Sequence, residues 1–155
     1  MEEPKSLHDL PPEFVFDPSR AAQLMTRHGH GGWLGLKYHA HGPGWVELAL
    51  PWREELAGVA ETGVLASGPI ISLMDNATSM SVWATVGRFE PHATLDLRVD
   101  YMRAAQPGKT VIGHGECYKL TRTISFIRGI AHDGDPEDPV AHVTGTFMAT
   151  HGTYL

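Results

Sequence analysis

One formal charge, Asp75, falls between Gly63 and Gly87. Its neighbours there are Ile, Leu, Met, Val, Ala and Trp, interspersed with small hydroxyl residues. A carboxylate in such surroundings is costly to bury unless it is paired or neutralised. Desolvation also raises the pKa of a carboxyl, which makes it a better base. Asp75 is therefore the first candidate for chemistry, as a general base that activates water. Eight and seven residues earlier stand Ser67 and Gly68, where a helix is expected to begin. A helix N-terminus offers unpaired N–H groups and the positive end of a dipole, a ready cradle for a developing oxyanion. Pro69 cannot contribute, having no N–H. The non-catalytic reading of Asp75 is a carboxylate satisfied by Ser72, Thr78 or Ser79 on neighbouring turns. Asn76 reads more simply as a polar helix residue bonded to a nearby loop.

Other chemistries find less support. The ten histidines include the close pairs His28/His30 and His39/His41. No Cys/His or His-Glu-x-x-His spacing accompanies them, so no metal site is expected. The stretch Gly29-His30-Gly31-Gly32 lacks the Gly-Lys-Ser/Thr ending of a phosphate loop. No Gly-x-Ser-x-Gly elbow occurs, which disfavours a serine hydrolase. Cys117, flanked by Gly113 and Gly115, reads as a small buried residue.

The positioning elements follow from periodicity. Ile70, Leu73, Met74, Ala77, Met80, Ser81 and Ala84 recur at helical spacing. Ser67 is the expected N-cap, Pro69 fits the first turn and Gly87 is the stop. The opposite stripe is Ile71, Asp75, Thr78, Val82 and Thr85, and the helix is apolar on nearly every side, so other elements must wrap around it. Before it, a short helix is expected near Ser19 to Arg27, ended by the glycine run. Strands follow from Trp33, with Leu34, Leu36 and Tyr38 alternating, then a Gly42-Pro43-Gly44 turn and the alternation of Val46, Leu48 and Leu50. After the helix, Leu95, Leu97, Val99 and Tyr101 alternate with Asp96, Arg98 and Asp100. Thr94 is in phase with that polar set. Further strands are expected over Thr110–Leu120, Thr123–His132 and Val140–Thr150. These elements predict an α+β fold, an antiparallel sheet curled around one long central helix.

The 155 residues suit one domain. A net charge of -6 without a Lys/Arg run disfavours nucleic-acid binding. A single cysteine excludes a disulfide within the chain and suits a reducing compartment. The start shows no basic region followed by an apolar run, and the Asp75 segment is too polar for a membrane span. The expectation is a cytoplasmic protein with no membrane partner. Residues 1–18, rich in proline and charge, are expected as a flexible arm, and 19–155 as the folded domain.

The stretch Gly63 to Ala77, followed by Thr94 to Ala104, Pro107-Gly108 and the closing Val140 to Met148, resembles the hotdog-fold acyl-CoA thioesterases, in particular the phenylacetate-pathway (PaaI-like) group. The resemblance spans roughly Gly31 to Thr150. It implies a hotdog fold, a sheet of about six strands around the helix, assembled as a homodimer and often a homotetramer built as a dimer of dimers. It implies a hydrolase splitting an acyl-CoA into free acid and coenzyme A at the dimer interface. Asp75 matches the family's acidic helix residue. Thr94 matches its hydroxyl residue at the start of the following strand, supplied by the partner subunit to orient water. Gly68 or Ser67 would hold the oxyanion. Where many relatives read His-Gly-Gly before the helix, this chain reads Ala66-Ser67-Gly68.

Coenzyme A, as part of the substrate rather than a cofactor, carries phosphates that call for basic residues. Arg122, where relatives often carry a basic residue, is the first candidate, with Arg103, Lys119 and Arg128 behind it. Two rivals remain: a hotdog hydratase or dehydratase on acyl thioesters, and a non-catalytic acyl-CoA-binding hotdog protein.

Overall fold

The computed structural model describes residues 16–155. Most of the arm expected over 1–18 lies outside them. Within them, Phe16 is buried edge-on against Trp83. Helix α1 spans Pro18–Met25. Asp17 caps it by accepting from the Ser19 N–H at 2.9 Å and its hydroxyl at 2.6 Å, and Pro18 takes the first turn, where its missing N–H is harmless.

The glycine run does not simply break the chain. It forms a second short helix, α2 (Gly29–Leu34). A Cβ on Gly32 would lie 2.9 Å from the Thr26 carbonyl oxygen, so the run lets α2 fold tightly against the end of α1. Trp33 and Leu34, expected in a strand, belong to this helix, and the first strand begins only at Lys37.

Strands β1 (Lys37–Gly42) and β2 (Trp45–Leu50) form the expected hairpin. A 3-10 turn at Glu54–Leu56 leads to a small ribbon of β3 (Ala57–Val59) and β4 (Val64–Leu65), which periodicity did not foretell. Then comes α3 (Ser67–Val86), followed by β5 (His92–Tyr101), β6 (Val111–Leu120), β7 (Ile124–His132) and β8 (Ala141–Ala149). Six strands make one antiparallel sheet in the order β1-β2-β6-β7-β8-β5. This is the hotdog arrangement, with α3 lying on β2, β6 and β7.

The central helix packs through its expected stripe: Ile70, Leu73, Met74, Ala77, Met80 and Ser81 are buried. It presses directly on the backbone of β6, where Gly113 and Gly115 stand in place of side chains. Gly87 ends the helix in the left-handed conformation, as expected. Its start differs by one residue: Ala66 occupies the N-cap without a side-chain hydrogen bond, and Ser67 is the first helical residue. The wrapping is also one-sided. Thr78 and Val82 of the second stripe are buried, but Gly68 and Ile71 are exposed, and Ser72, Asp75 and Ser79 are only half-buried. This open face carries the candidate chemistry.

Strand β5 is the sheet edge beside that face. Its alternation is interrupted at one point. Thr94 pairs with Phe147 and Asp96 with Thr146, leaving Leu95 as an extra residue in a β-bulge. A bulge inverts the side-chain phase on either side of it. Thr94 therefore leaves the outward face of Asp96 and Arg98 and turns toward α3.

Candidate active site

Strand β5 runs antiparallel to α3 and touches it at three polar points. The Tyr101 hydroxyl donates to the Ser67 carbonyl at 3.1 Å, the Thr94 hydroxyl donates to Asp75 Oδ1 at 2.8 Å, and His92 Nε2 meets the Ser79 hydroxyl at 2.8 Å. The bulge at Leu95 is what permits Thr94 and His92 to face the helix together with Leu97 and Val99.

The partner of Asp75 is thus Thr94, within one chain. This corrects two expectations: that Thr94 points outward, and that only a second subunit could bring it to the acid. It also removes the local alternative for Asp75. The Thr78 hydroxyl bonds the Met74 carbonyl, Ser79 faces His92, and Ser72 faces His30. Asn76 bonds the Ser72 carbonyl of its own helix rather than a loop. Asp75 is half-buried rather than sealed in the core. Thr94 fixes one carboxylate oxygen, and the remaining lone pairs can accept from a water.

Two turns before Asp75, the helix start opens on a cavity of about 310 Å³. Apolar atoms of Trp33, Leu34, Leu56, Ala57, Ala66 and Pro69 make most of its wall, and His30, Glu55, Gly68 and Ser72 supply the polar part. Gly68, Ser72, Asp75 and Ser79 are spaced to share one helix face. The N–H groups of Ser67 and Gly68 belong to the first helical turn and have no carbonyl four residues earlier within the helix. Nothing would meet a Cβ at Gly68 within 4 Å, so a carbonyl oxygen can approach its backbone. The arrangement therefore combines a positioned carboxylate, a hydroxyl that orients it, and backbone donors at a helix N-terminus.

The four basic candidates are not drawn to this cavity. Arg103 forms a two-pronged pair with buried Asp133, at 2.6 and 3.0 Å, and also bonds the Asp138 carbonyl. That pair holds the Asp133 carboxyl down at about 2. Arg103 thus ties the loop after β5 to the loop after β7. Arg128 bonds Glu116 across β6 and β7 and lies over the Tyr118 ring. Lys119 and Arg122 are exposed around the β6–β7 turn. The cation beside the cavity is Arg53, which spacing did not single out. Its guanidinium donates to the Trp33 carbonyl at 2.6 Å and lies 5.8 Å from the Trp33 ring centre. Among the described residues, no three His, Cys, Asp or Glu side chains converge as a metal site requires.

His92 has a separate consequence. Its ring is packed on Trp83 and Phe147, and burial pushes its pKa down to about 4. The unfolded chain takes up a proton near the ordinary value of 6.5, whereas the folded chain resists until about 4. The unfolded state binds more protons in that window, so stability falls as pH drops through it. Urea unfolding at pH 4.5 should show about 2 kcal/mol less stability than at pH 7.5 from this residue. Asp133, with its low pKa, stays ionised across that range. His92→Phe should flatten the pH dependence, and an equal slope in wild type and variant would contradict it.

The fold agrees with the comparisons. The family model of the thioesterase superfamily matches residues 62–140, which contain α3 through β7. The chain belongs to the thioesterase superfamily. Among solved structures, a Pseudomonas aeruginosa protein is 40% identical, with a TM-score of 0.76 and coverage of 84% of this chain and 97% of its own. A Haemophilus influenzae thioesterase, 17% identical, superposes with a TM-score of 0.75 over 89% of this chain and 93% of its own. The phenylacetic acid degradation protein PaaI of Thermus thermophilus, in a point-mutant form, is 24% identical, with a TM-score of 0.66 over 77% of this chain and 96% of its own. The last two likenesses concern the fold. No curated protein matches the sequence significantly. No helix among the described residues is long and apolar enough to cross a membrane.

Proposed function

We propose that this protein hydrolyses acyl-CoA thioesters to a free acid and coenzyme A. The observation that carries the reading is the Thr94–Asp75 hydrogen bond on the helix face whose N-terminal Gly68 lines the cavity. In this mechanism Asp75 accepts a proton from water as the water oxygen adds to the thioester carbon. Thr94 holds the carboxylate in place for that transfer. The N–H of Gly68, with that of Ser67, stabilises the oxyanion, a contribution of about 3 kcal/mol per donor in comparable sites. Collapse of the tetrahedral intermediate breaks the C–S bond and releases the thiol.

The active assembly is proposed as a homodimer, with a dimer of dimers as its extension. Leu95, Tyr101 and Met102 lie exposed along the β5 edge, and Ile71 is exposed on the adjoining helix face. A long, unpaired edge strand with exposed apolar side chains beside it calls for a cover. Such a partner would close the open face of α3 and enclose the site. Lys119 and Arg122 remain the exposed candidates for the coenzyme A phosphates, acting across that assembly.

A panel of acyl-CoAs incubated with the protein and a free-thiol reagent tests the reading. Catalytic thiol release from at least one ester is the expected result. Tight binding that protects every ester and releases no thiol would instead establish a binding protein.

A further inference from the structure

We infer that His30 is a second catalytic residue of this site, the acid that protonates the departing sulfur; the inference rests on the thioesterase reading above. Its Nε2 lies 2.9 Å from the Ser72 hydroxyl, and both side chains line the cavity at the start of α3. Ser72 follows Gly68 by four residues and precedes Asp75 by three. All three therefore share one helix face, and His30 reaches that face from α2 through its contact with Ser72. The proposed oxyanion donor and the base both come from α3, and the imidazole is held at Ser72, between them in sequence.

The chain fixes this histidine deliberately. Leu34 anchors α2 in the core with 1% of its surface exposed. Arg53 holds the helix end through the Trp33 carbonyl, and the Trp33 ring stacks on the His30 ring at 6.3 Å and 17°. Ser72 completes the clamp. The glycine run that looked like a break is what brings His30 over the helix start, close to where this chain reads Ala66-Ser67-Gly68.

The reaction has a task left for such a group. Asp75 removes one proton from water, and the hydroxyl adds to the carbonyl carbon. When the C–S bond breaks, its electron pair stays on sulfur, and a proton donated there stabilises the departing thiolate. Imidazole is the side chain most often used to carry a proton in catalysis. As imidazolium it donates from both nitrogens, so Nε2–H passes from the Ser72 oxygen to a sulfur seated beside it. The products are the carboxylic acid and the neutral thiol. Asp75 then returns its proton to His30 through solvent, and the acid ionises, so the net reaction consumes one thioester and one water.

The test varies the leaving group. The acyl group hydrolysed fastest in the acyl-CoA panel is presented as its CoA ester and as its thionitrobenzoate ester, whose aryl thiolate departs without a proton. His30→Gln and His30→Ala are compared with wild type, with melting curves to confirm folding. Loss of about 100-fold on the CoA ester with loss below about 5-fold on the aryl ester is expected for both variants. Ser72→Ala should show a smaller loss, about 10-fold, with the same selectivity. Equal losses on both esters, or none on either, overturn the role of His30 while leaving the hydrolase reading intact. An acyl group trapped on Ser72 and detected by mass spectrometry would overturn it too, by making the Ser72–His30 pair a nucleophile and its base. Absence of thiol release by wild type from every ester overturns the hydrolase reading itself, and the inference with it.

Discussion

Replacing Asp75 with Asn is expected to lower kcat for thioester hydrolysis by about 1000-fold while leaving the fold intact. The substitution preserves size and keeps an oxygen that accepts from Thr94, so the helix and β5 stay in contact. It removes the one function an amide cannot supply, proton acceptance from water. The residual rate should reflect the helix N-terminal donors and substrate positioning, which the variant retains. KM should change little, because the carboxylate is not assigned to ground-state binding. The measurement is steady-state thiol release beside a melting curve. Full activity in a folded Asp75→Asn protein would return Asp75 to the role of a structural acid.

The second large effect concerns the floor under the helix. A Cβ on Gly115 would lie 2.6 Å from the Ala77 carbonyl carbon and the Thr78 nitrogen. Both are backbone atoms of α3, so no rotamer change relieves the clash. Either the helix lifts from the sheet or β6 gives way. Gly115→Ala should cost about 3 kcal/mol, the upper end of the usual range for overpacking a tight core. Gly115→Val should cost more. The same displacement moves Gly68, Ser72 and Asp75 relative to Thr94 on β5, and errors near 1 Å in such constellations cost about 100-fold in rate. Stability by urea titration and thiol release should therefore fall together. A Gly115→Ala protein with the wild-type urea midpoint would show that α3 does not rest on this backbone as described.

The elements with long, clean periodicity were legible in the chain. The helix over 67–86, the hairpin around Pro43-Gly44 and the three strands from Val111 onward are where hydrophobic spacing puts them. The acid was legible for the same reason, as a lone charge in an apolar run. What escaped were features decided by one residue or by distant partners. The extra residue at Leu95 inverts the phase of β5, so alternation alone sends Thr94 to the wrong face. Glycine normally breaks a helix, and only packing against α1 turns Gly29–Leu34 into one. That concealed His30, whose relation to Ser72 spans 42 positions. Arg103 looked available because Asp133, which claims it, lies 30 positions away. Ser67 was expected to cap α3, yet it begins the helix and lends its carbonyl to Tyr101. In each case the deciding contact is tertiary, and local propensity carries no record of it.

The account turns on water, activated by Asp75, attacking the thioester carbon. A single-turnover reaction with enzyme in excess, run in water enriched in oxygen-18, tests that step most directly. The mechanism predicts one heavy oxygen in the acid formed on the first turnover, one thiol released per acid, and no label in the peptide containing Asp75. An unlabelled first-turnover acid, with the heavy oxygen found in the Asp75 carboxylate, would contradict it and make that carboxylate the nucleophile.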